Sequence, residues 1–182
     1  MAIDSSTKVT YQIDPTHSVV EFSGRHLMVS TYKGRFHGVS GTITLDEKNP
    51  AQSSVEAVID ASTVTTFSDQ RDTHLKSPDF LDLANHPTLT FKSTRVEPKG
   101  GSKALVSGDL TIRGTTKEVT FDVEFFGVEK NPWGATVAGF EGRTSINRKD
   151  FGVVFNAPLE SGGVLVSDTV KIELQIEATK QA

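Results

Sequence analysis

Two short runs concentrate most of the side chains in this 182-residue sequence that could do chemistry. The denser is Arg71-Asp72-Thr73-His74-Leu75, and the other is Asn147-Arg148-Lys149-Asp150-Phe151-Gly152. Arginine offers a planar fork of donors suited to carboxylates and phosphates, and histidine is the side chain that trades protons near neutral pH. The first run has two readings. In one it is an internal network, with Arg71 paired to a carboxylate, Asp72 capping a backbone amide and His74 filling a loop. In the other it is a polar mouth that meets a ligand's head group, with Arg71 as the anion binder. Arg148 carries the same two readings, and a pairing of Arg148 or Arg71 with Asp72 or Asp150 is open in either.

Other chemistry is sparse. The histidines are His17, His26, His37, His74 and His86. His26, His37 and His74 could converge in the fold as metal ligands, but none stands at a spacing that specifies such a site, and no metal is expected. The sequence has no cysteine, which excludes disulfides, thiolate catalysis and cysteine-held zinc or iron–sulfur clusters. It lacks a nucleophile elbow (Gly38-Val39-Ser40-Gly41 has the wrong spacing), a phosphate loop, a dinucleotide fingerprint and a zinc-helix motif. No catalytic residue is expected. The net charge is −4 and the basic residues are scattered, so no nucleic-acid face is visible. No apolar run approaches the ~18 residues of a membrane span. Met1–Thr10 is polar and does not read as a secretory leader. The expected location is therefore the cytoplasm, or the periplasm if a leader has been removed.

The elements that would position these groups are strands. Apolar residues recur with period two, the pattern of half-buried strands. Val170, Ile172, Leu174 and Ile176 alternate with charged or polar neighbours, as do Val119, Phe121, Val123 and Phe125. Val20 and Phe22, Val55 to Ile59, Leu89 and Phe91, Val106 to Ile112 and Ala138 to Ile146 behave likewise. Asp14-Pro15, Glu47 to Pro50, Pro98 to Ser102, Arg113 to Thr116 and Asn131 to Gly134 supply turns. Residues 34–45, 103–112, 117–128 and 134–146 each read as one long strand. The exception is the stretch 69–83, where Ser68 or Asp69 can cap one short helix and Ser77-Pro78 can start another.

Alternation of this kind fits a packed β-sandwich and a barrel alike. The strands are long for a sandwich, and eleven phenylalanines stand against two tyrosines and one tryptophan, which suits a dry interior. An eight-stranded barrel has room inside for side chains or for one ligand. Gly108, Gly127 and Gly142 at inward positions would leave space or permit curvature. On pattern alone a filled core and a container weigh equally.

The motifs in order break that tie. They are Ile13-Asp14-Pro15-Thr16-His17-Ser18, Phe22, His26-Leu27, Gly34-Arg35-Phe36 and Arg71-Asp72-Thr73-His74-Leu75. Phe80, His86-Pro87-Thr88-Leu89-Thr90-Phe91, Gly108 to Gly114 and Asn147 to Val153 follow. Over about residues 11–178 the sequence resembles the YceI-like family of bacterial polyisoprenoid-binding proteins. The resemblance implies an all-β fold: an eight-stranded antiparallel lipocalin-like barrel with one or two short helices inserted around residues 69–83. It implies a single domain over 1–182, with 1–8 as a tail, and an elongated apolar cavity for a polyprenyl chain such as a quinone precursor or a polyprenyl phosphate. That lipid is a ligand, not a cofactor.

Strand parity and family position together place Phe22, Leu27, Phe36, Phe91, Leu110, Phe140 and Phe151 along the cavity. They place His26, Arg71, Asp72, His74 and Arg148 at its mouth. Aspartate at Phe91 or Leu110 is expected to abolish lipid co-purification. Burying a methylene is worth ~0.8 kcal/mol, so forty carbons would yield a gross ~30 kcal/mol, above the practical affinity ceiling of ~18–21 kcal/mol. The real competitor is a bilayer or micelle, which shields the chain from water equally well. Specificity must then come from cavity length, shape and head-group contacts. Two other readings stay open. One is an enzyme acting on an isoprenoid or quinone intermediate, which needs a titratable pair such as His74 with Asp72 facing the cavity. The other is a stress-related interaction module with a filled core that works through its surface. Exposed sheet edges and barrel mouths make a homodimer the expected assembly.

Overall fold

The computed structural model describes residues 7–182. Residues 1–6 of the expected tail lie outside the described residues, and the first strand already includes Lys8. The chain forms β1 (Lys8–Ile13), β2 (Val19–His26), β3 (Ser30–Phe36), β4 (Val39–Asp46) and β5 (Ser54–Asp60). After α1 (Asp69–Lys76) come β6 (Thr88–Gly100), β7 (Lys103–Ile112), β8 (Thr115–Lys130), β9 (Thr136–Asn147) and β10 (Thr169–Lys180). All pairings between these strands are antiparallel, in the order β1-β4-β5-β6-β7-β8-β9-β10-β2-β3. A further β1–β10 pairing closes the ring.

The ten strands make eight staves. β1 and β2 lie against the same edge of β10, at Ala178–Lys180 and Lys171–Gln175 respectively. They are one stave broken at Asp14–Ser18. β3 pairs with β2 and β4 with β1, so these two form the next stave. Residues 34–45 are therefore not the continuous strand that alternation predicts: the chain breaks at His37–Gly38. The inward parity changes there, from Tyr32 and Phe36 to Val39, Ile43 and Leu45. A continuous strand would send one of the two sets to solvent.

The first break is pinned by side chains. The Asp14 carboxylate accepts from the Thr16 backbone N–H at 2.8 Å, the Thr16 hydroxyl at 2.7 Å and His17 Nδ1 at 2.8 Å. These bonds, His17's foremost, hold the Asp14 carboxyl down at about 2. The same bond, helped by Glu177 with a carboxylate oxygen 3.7 Å away, keeps His17 above its ordinary 6.5. A histidine raised on folding stabilises fully below its unfolded pKa, and that share is lost as pH rises through the folded one. The lowered aspartate stabilises above its ordinary 3.8 and loses that share as pH falls towards about 2. The pair therefore contributes most between 3.8 and 6.5. Thermal melts of His17→Asn should show a lower Tm than the parent near pH ~5 and none of that difference near pH ~9. An equal offset at both would contradict the ion pair.

The β7–β8 hairpin turns through Arg113 (φ 49°) and Gly114 (φ 72°), the two left-handed positions of a tight hairpin turn. A Cβ at Gly114 would sit 2.8 Å from the His86 ring, so glycine also allows that close approach. Arg113 reaches back to the carbonyls of Pro78 and Phe80, the latter at 2.7 Å. Those bonds help fix residues 77–85 as a chain of turns. Of the one or two helices expected here only α1 forms, capped by the Ser68 hydroxyl, which accepts from the Arg71 N–H. Ser77 ends that helix: its hydroxyl and backbone N–H both donate to the His74 carbonyl.

Inward side chains from every stave meet in one cluster that includes Ile13, Phe36, Val39, Leu110, Phe121 and Phe151. Fully burying a side chain of this size stabilises by about 1.5–3 kcal/mol. The cluster does not fill the barrel.

Candidate functional site

A cavity of about 780 Å³ runs along the barrel interior. Its lining extends from Asp46, Pro50, Ser102 and Lys103 at one end to His26, Gln70, Arg71 and Val166 at the other. The ten residues of β7 at ~3.3 Å per residue, tilted by ~40°, give a barrel height of roughly 25 Å. Between the ends the wall is almost wholly aliphatic and aromatic. Phe125 stacks on Phe140 with centroids 5.2 Å apart, Phe91 meets Phe121 edge-on at 5.3 Å, and Phe22 meets Phe36 at 5.4 Å. Gly108 makes room in this wall, because a Cβ there would strike the Lys92 carbonyl and the Phe91 ring.

Six of the seven expected lining residues border the cavity: Phe22, Phe36, Phe91, Leu110, Phe140 and Phe151. Leu27 does not. It stands in the β2–β3 turn with φ 52° and is turned out to solvent. The strand ends at His26, so parity no longer governs the next residue.

The polar candidates divide more sharply. His26, Arg71, His74 and Arg148 border the cavity, and Asp72 does not. The Asp72 carboxylate turns back to accept from the Thr66 N–H at 2.7 Å and the Thr66 hydroxyl at 2.6 Å. Arg71 joins the same knot, donating through Nε to the Thr66 hydroxyl at 2.7 Å and through Nη2 to its carbonyl at 2.8 Å. His74 Nε2 bonds Asp79 at 2.8 Å, and the ring packs edge-on against Phe80 and Phe155. His74 and Asp72, one titratable pair that could have faced the cavity, do not meet: each has a different partner.

Arg148 is buried, and carbonyls surround it. It donates to Ser167 O at 2.9 Å and to Val153 O and Phe155 O at 2.8 Å each, with Val166 O at 3.5 Å. Asp168 lies 3.8 Å away and is held more closely by Lys149, at 3.2 Å. Neither Asp72 nor Asp150 is its partner. Asn156 supplements it, its side-chain oxygen accepting from three N–H groups and its amide donating to Val166 O. Residues 152–168 form no long ladder, so these two side chains satisfy backbone groups that a sheet would otherwise pair. Val153, Phe155, Leu165 and Val166 of this segment line the cavity's end.

Tyr32 was not among the sequence candidates. Its side chain points inward from β3, and burial pushes its phenol up, so it remains a neutral hydroxyl at ordinary pH. Among the described residues, neither its hydroxyl nor the His26 ring has a hydrogen-bond partner. The inward parity of Gly34 and Phe36 is the signal that could have found it. His26, His37 and His74 do not gather. Among the described residues, the ligand atoms that do converge belong to Asp14, His17 and Glu177, at the β1–β2 break. Their closeness is accounted for by the ion pairing above. No helix among the described residues is long and apolar enough to cross a membrane.

Residues 11–178 match the family model described as YceI-like domain. A UPF0312 protein of Vibrio parahaemolyticus is 40% identical over 173 residues, covering 94% of this chain and 87% of that protein. The crystal structure of Burkholderia cenocepacia BcnA superposes with a TM-score of 0.81 at 26% identity, over 92% of this chain and 99% of that one. A polyisoprenoid binding domain from Saccharophagus degradans, implicated in plant cell wall breakdown, has a TM-score of 0.67 at 17% identity, over 95% and 99% of the two chains. The eight-stave closed barrel is the architecture these structures share with this chain.

Proposed function

As the chain belongs to the YceI-like family, we propose that it holds one long-chain isoprenoid or similar amphiphile inside its barrel, for transport or storage. The observation that carries this reading is the cavity: about 780 Å³ of space with an apolar wall, lined by residues from both ends of the barrel. Its volume falls within the ~300–1,000 Å³ usual for small-molecule sites. A packed module acting only through its surface would have no need of such a space. That the Saccharophagus degradans domain of the same fold is described as polyisoprenoid binding supports the ligand class. That likeness carries the fold, and the ligand is our inference.

In this reading the prenyl or acyl chain lies against Phe91, Phe121, Phe125 and Phe140. The head group sits at the end bordered by His26 and Tyr32. Arg71, His74 and Arg148 are engaged with protein partners, so they shape the mouth more than they grip the ligand. The whole chain acts as one barrel domain, and the ligand leaves as it entered.

The test is organic extraction of protein purified from cells, with mass analysis of the extract. About one long-chain isoprenoid or amphiphile per chain is expected. The extracted lipid, returned to the protein, should be recovered unchanged. A new product would move the reading to an enzyme, and an extract without any long-chain lipid would overturn it.

A further inference from the structure

The turn that joins β2 to β3 conflicts with its own sequence. The Val29 N–H donates to the His26 carbonyl, and the two residues between them, Leu27 and Met28, have φ of 52° and 58°. Positions with positive φ in a tight turn favour asparagine and glycine. A bulky residue there is held in a costly conformation, and such strain gathers at functional sites. The residues so held are also apolar and turned to solvent: Leu27 is 37% exposed, Met28 54% and Val29 78%.

Their place in the fold gives this meaning. The Leu27 N–H donates to the Leu165 carbonyl at 2.9 Å, and His26 bridges to Val166. His26, Leu165 and Val166 all border the cavity. On the same segment Val164 and Val154 are exposed as well. An apolar wedge therefore stands at the mouth of an apolar cavity. Arg25 flanks it, donating to the Met28 carbonyl at 3.2 Å and the Thr31 hydroxyl at 3.3 Å, which sets a cation just behind the wedge.

We propose that this end of the barrel docks on a lipid bilayer, with Leu27, Met28 and Val29 entering the apolar layer and Arg25 at the level of the phosphates. The inference rests on the cavity being a lipid site. A bilayer fits better than a second protein for a reason of area. Even with Val154 and Val164 counted, and ~200 Å² allowed for a fully exposed residue, the exposed fractions of the five amount to roughly 550 Å², less than the ~800 Å² each partner gives to a stable protein interface. A protruding wedge suits a deformable partner, and insertion of a few apolar side chains beside a basic one is how proteins hold to the membrane interface. Docked there, the cavity faces the phase in which a long-chain lipid dissolves, and the ligand need not cross water.

The test combines Leu27→Asn, Met28→Gly and Val29→Ser, which supply the turn with residues it favours. Flotation with vesicles of phosphatidylcholine and phosphatidylglycerol should show bound protein falling by about tenfold or more, while Tm stays equal or rises. Trp133→Ser, at the exposed β8–β9 turn on the opposite end, should leave vesicle binding unchanged. Equal flotation of the triple variant and the parent would overturn the docking. So would a shift of the variant from dimer to monomer in size-exclusion chromatography with flotation unaltered, which would assign the wedge to a second copy of the chain. Extraction of the parent protein separates the two readings: bound lipid without wedge-dependent flotation removes the docking alone, and no bound lipid removes the cavity reading.

Discussion

Replacing Arg148 with methionine is expected to lower Tm by about 10 °C. The guanidinium gathers carbonyls from Val153, Phe155 and Ser167 into one buried point. Removing it leaves those acceptors short of donors in a place water reaches poorly. Each such group costs about 1–3 kcal/mol, so losing the donors to all of them should cost several kcal/mol. For a domain of this length each kcal/mol moves Tm by roughly 2–4 °C. Lysine keeps the charge and loses the fork, so Arg148→Lys should recover only part of the loss. The Asp168 contact contributes little, at 3.8 Å with a carboxylate already held by Lys149. Asp168→Asn should therefore change Tm far less than Arg148→Met. Thermal unfolding followed by circular dichroism checks the series. A methionine variant within ~2 °C of the parent would mean that residues 152–168 hold their shape without the arginine.

Narrowing the cavity should remove the ligand without harming the fold. Ala57 and Val123 face inward from β5 and β8 and border the empty space. The double variant Ala57→Phe with Val123→Phe sends two rings into that space, next to Phe91 and Phe125. Overpacking costs stability where a core is already full. Here the added atoms meet a void, so Tm should hold or rise while retained long-chain lipid falls by about tenfold or more. Phe91→Asp reaches the same end by another route, by placing a carboxylate on the apolar wall, and it should also cost several kcal/mol of stability. The pair of results separates loss of ligand from loss of fold. Full lipid retention in a folded double variant would put the ligand somewhere other than the barrel axis.

Much of this architecture could be read from residue patterns. Period-two alternation placed β7, β8, β9 and β10, and the run Arg113 to Thr116 marked the β7–β8 hairpin, although only Arg113 and Gly114 make the turn and Thr115 and Thr116 already pair in β8. The break between β3 and β4 was legible too, as the parity change between Phe36 and Val39, but it is easily passed over when both sides continue to alternate. The mouth was harder. Leu27 follows a strand and looks like its next member, yet its backbone has already turned. The partners of Arg148 are main-chain carbonyls, which every residue carries, so no side-chain identity announces them. Asp72 and Arg71 meet through Thr66, a residue with no distinctive pattern. A cavity is a property of volumes that fail to meet across a barrel axis, and alternation alone cannot tell such a void from a filled core.

One long lipid held in the barrel would add its mass to the folded chain. Native mass spectrometry of the parent and of the Ala57→Phe, Val123→Phe variant, purified side by side, tests it most directly. The parent mass should exceed the bare chain by a single long-chain lipid, and the variant should appear at the mass of the bare chain. A lipid adduct of equal abundance on both proteins, or none on the parent, would contradict a lipid held in the barrel.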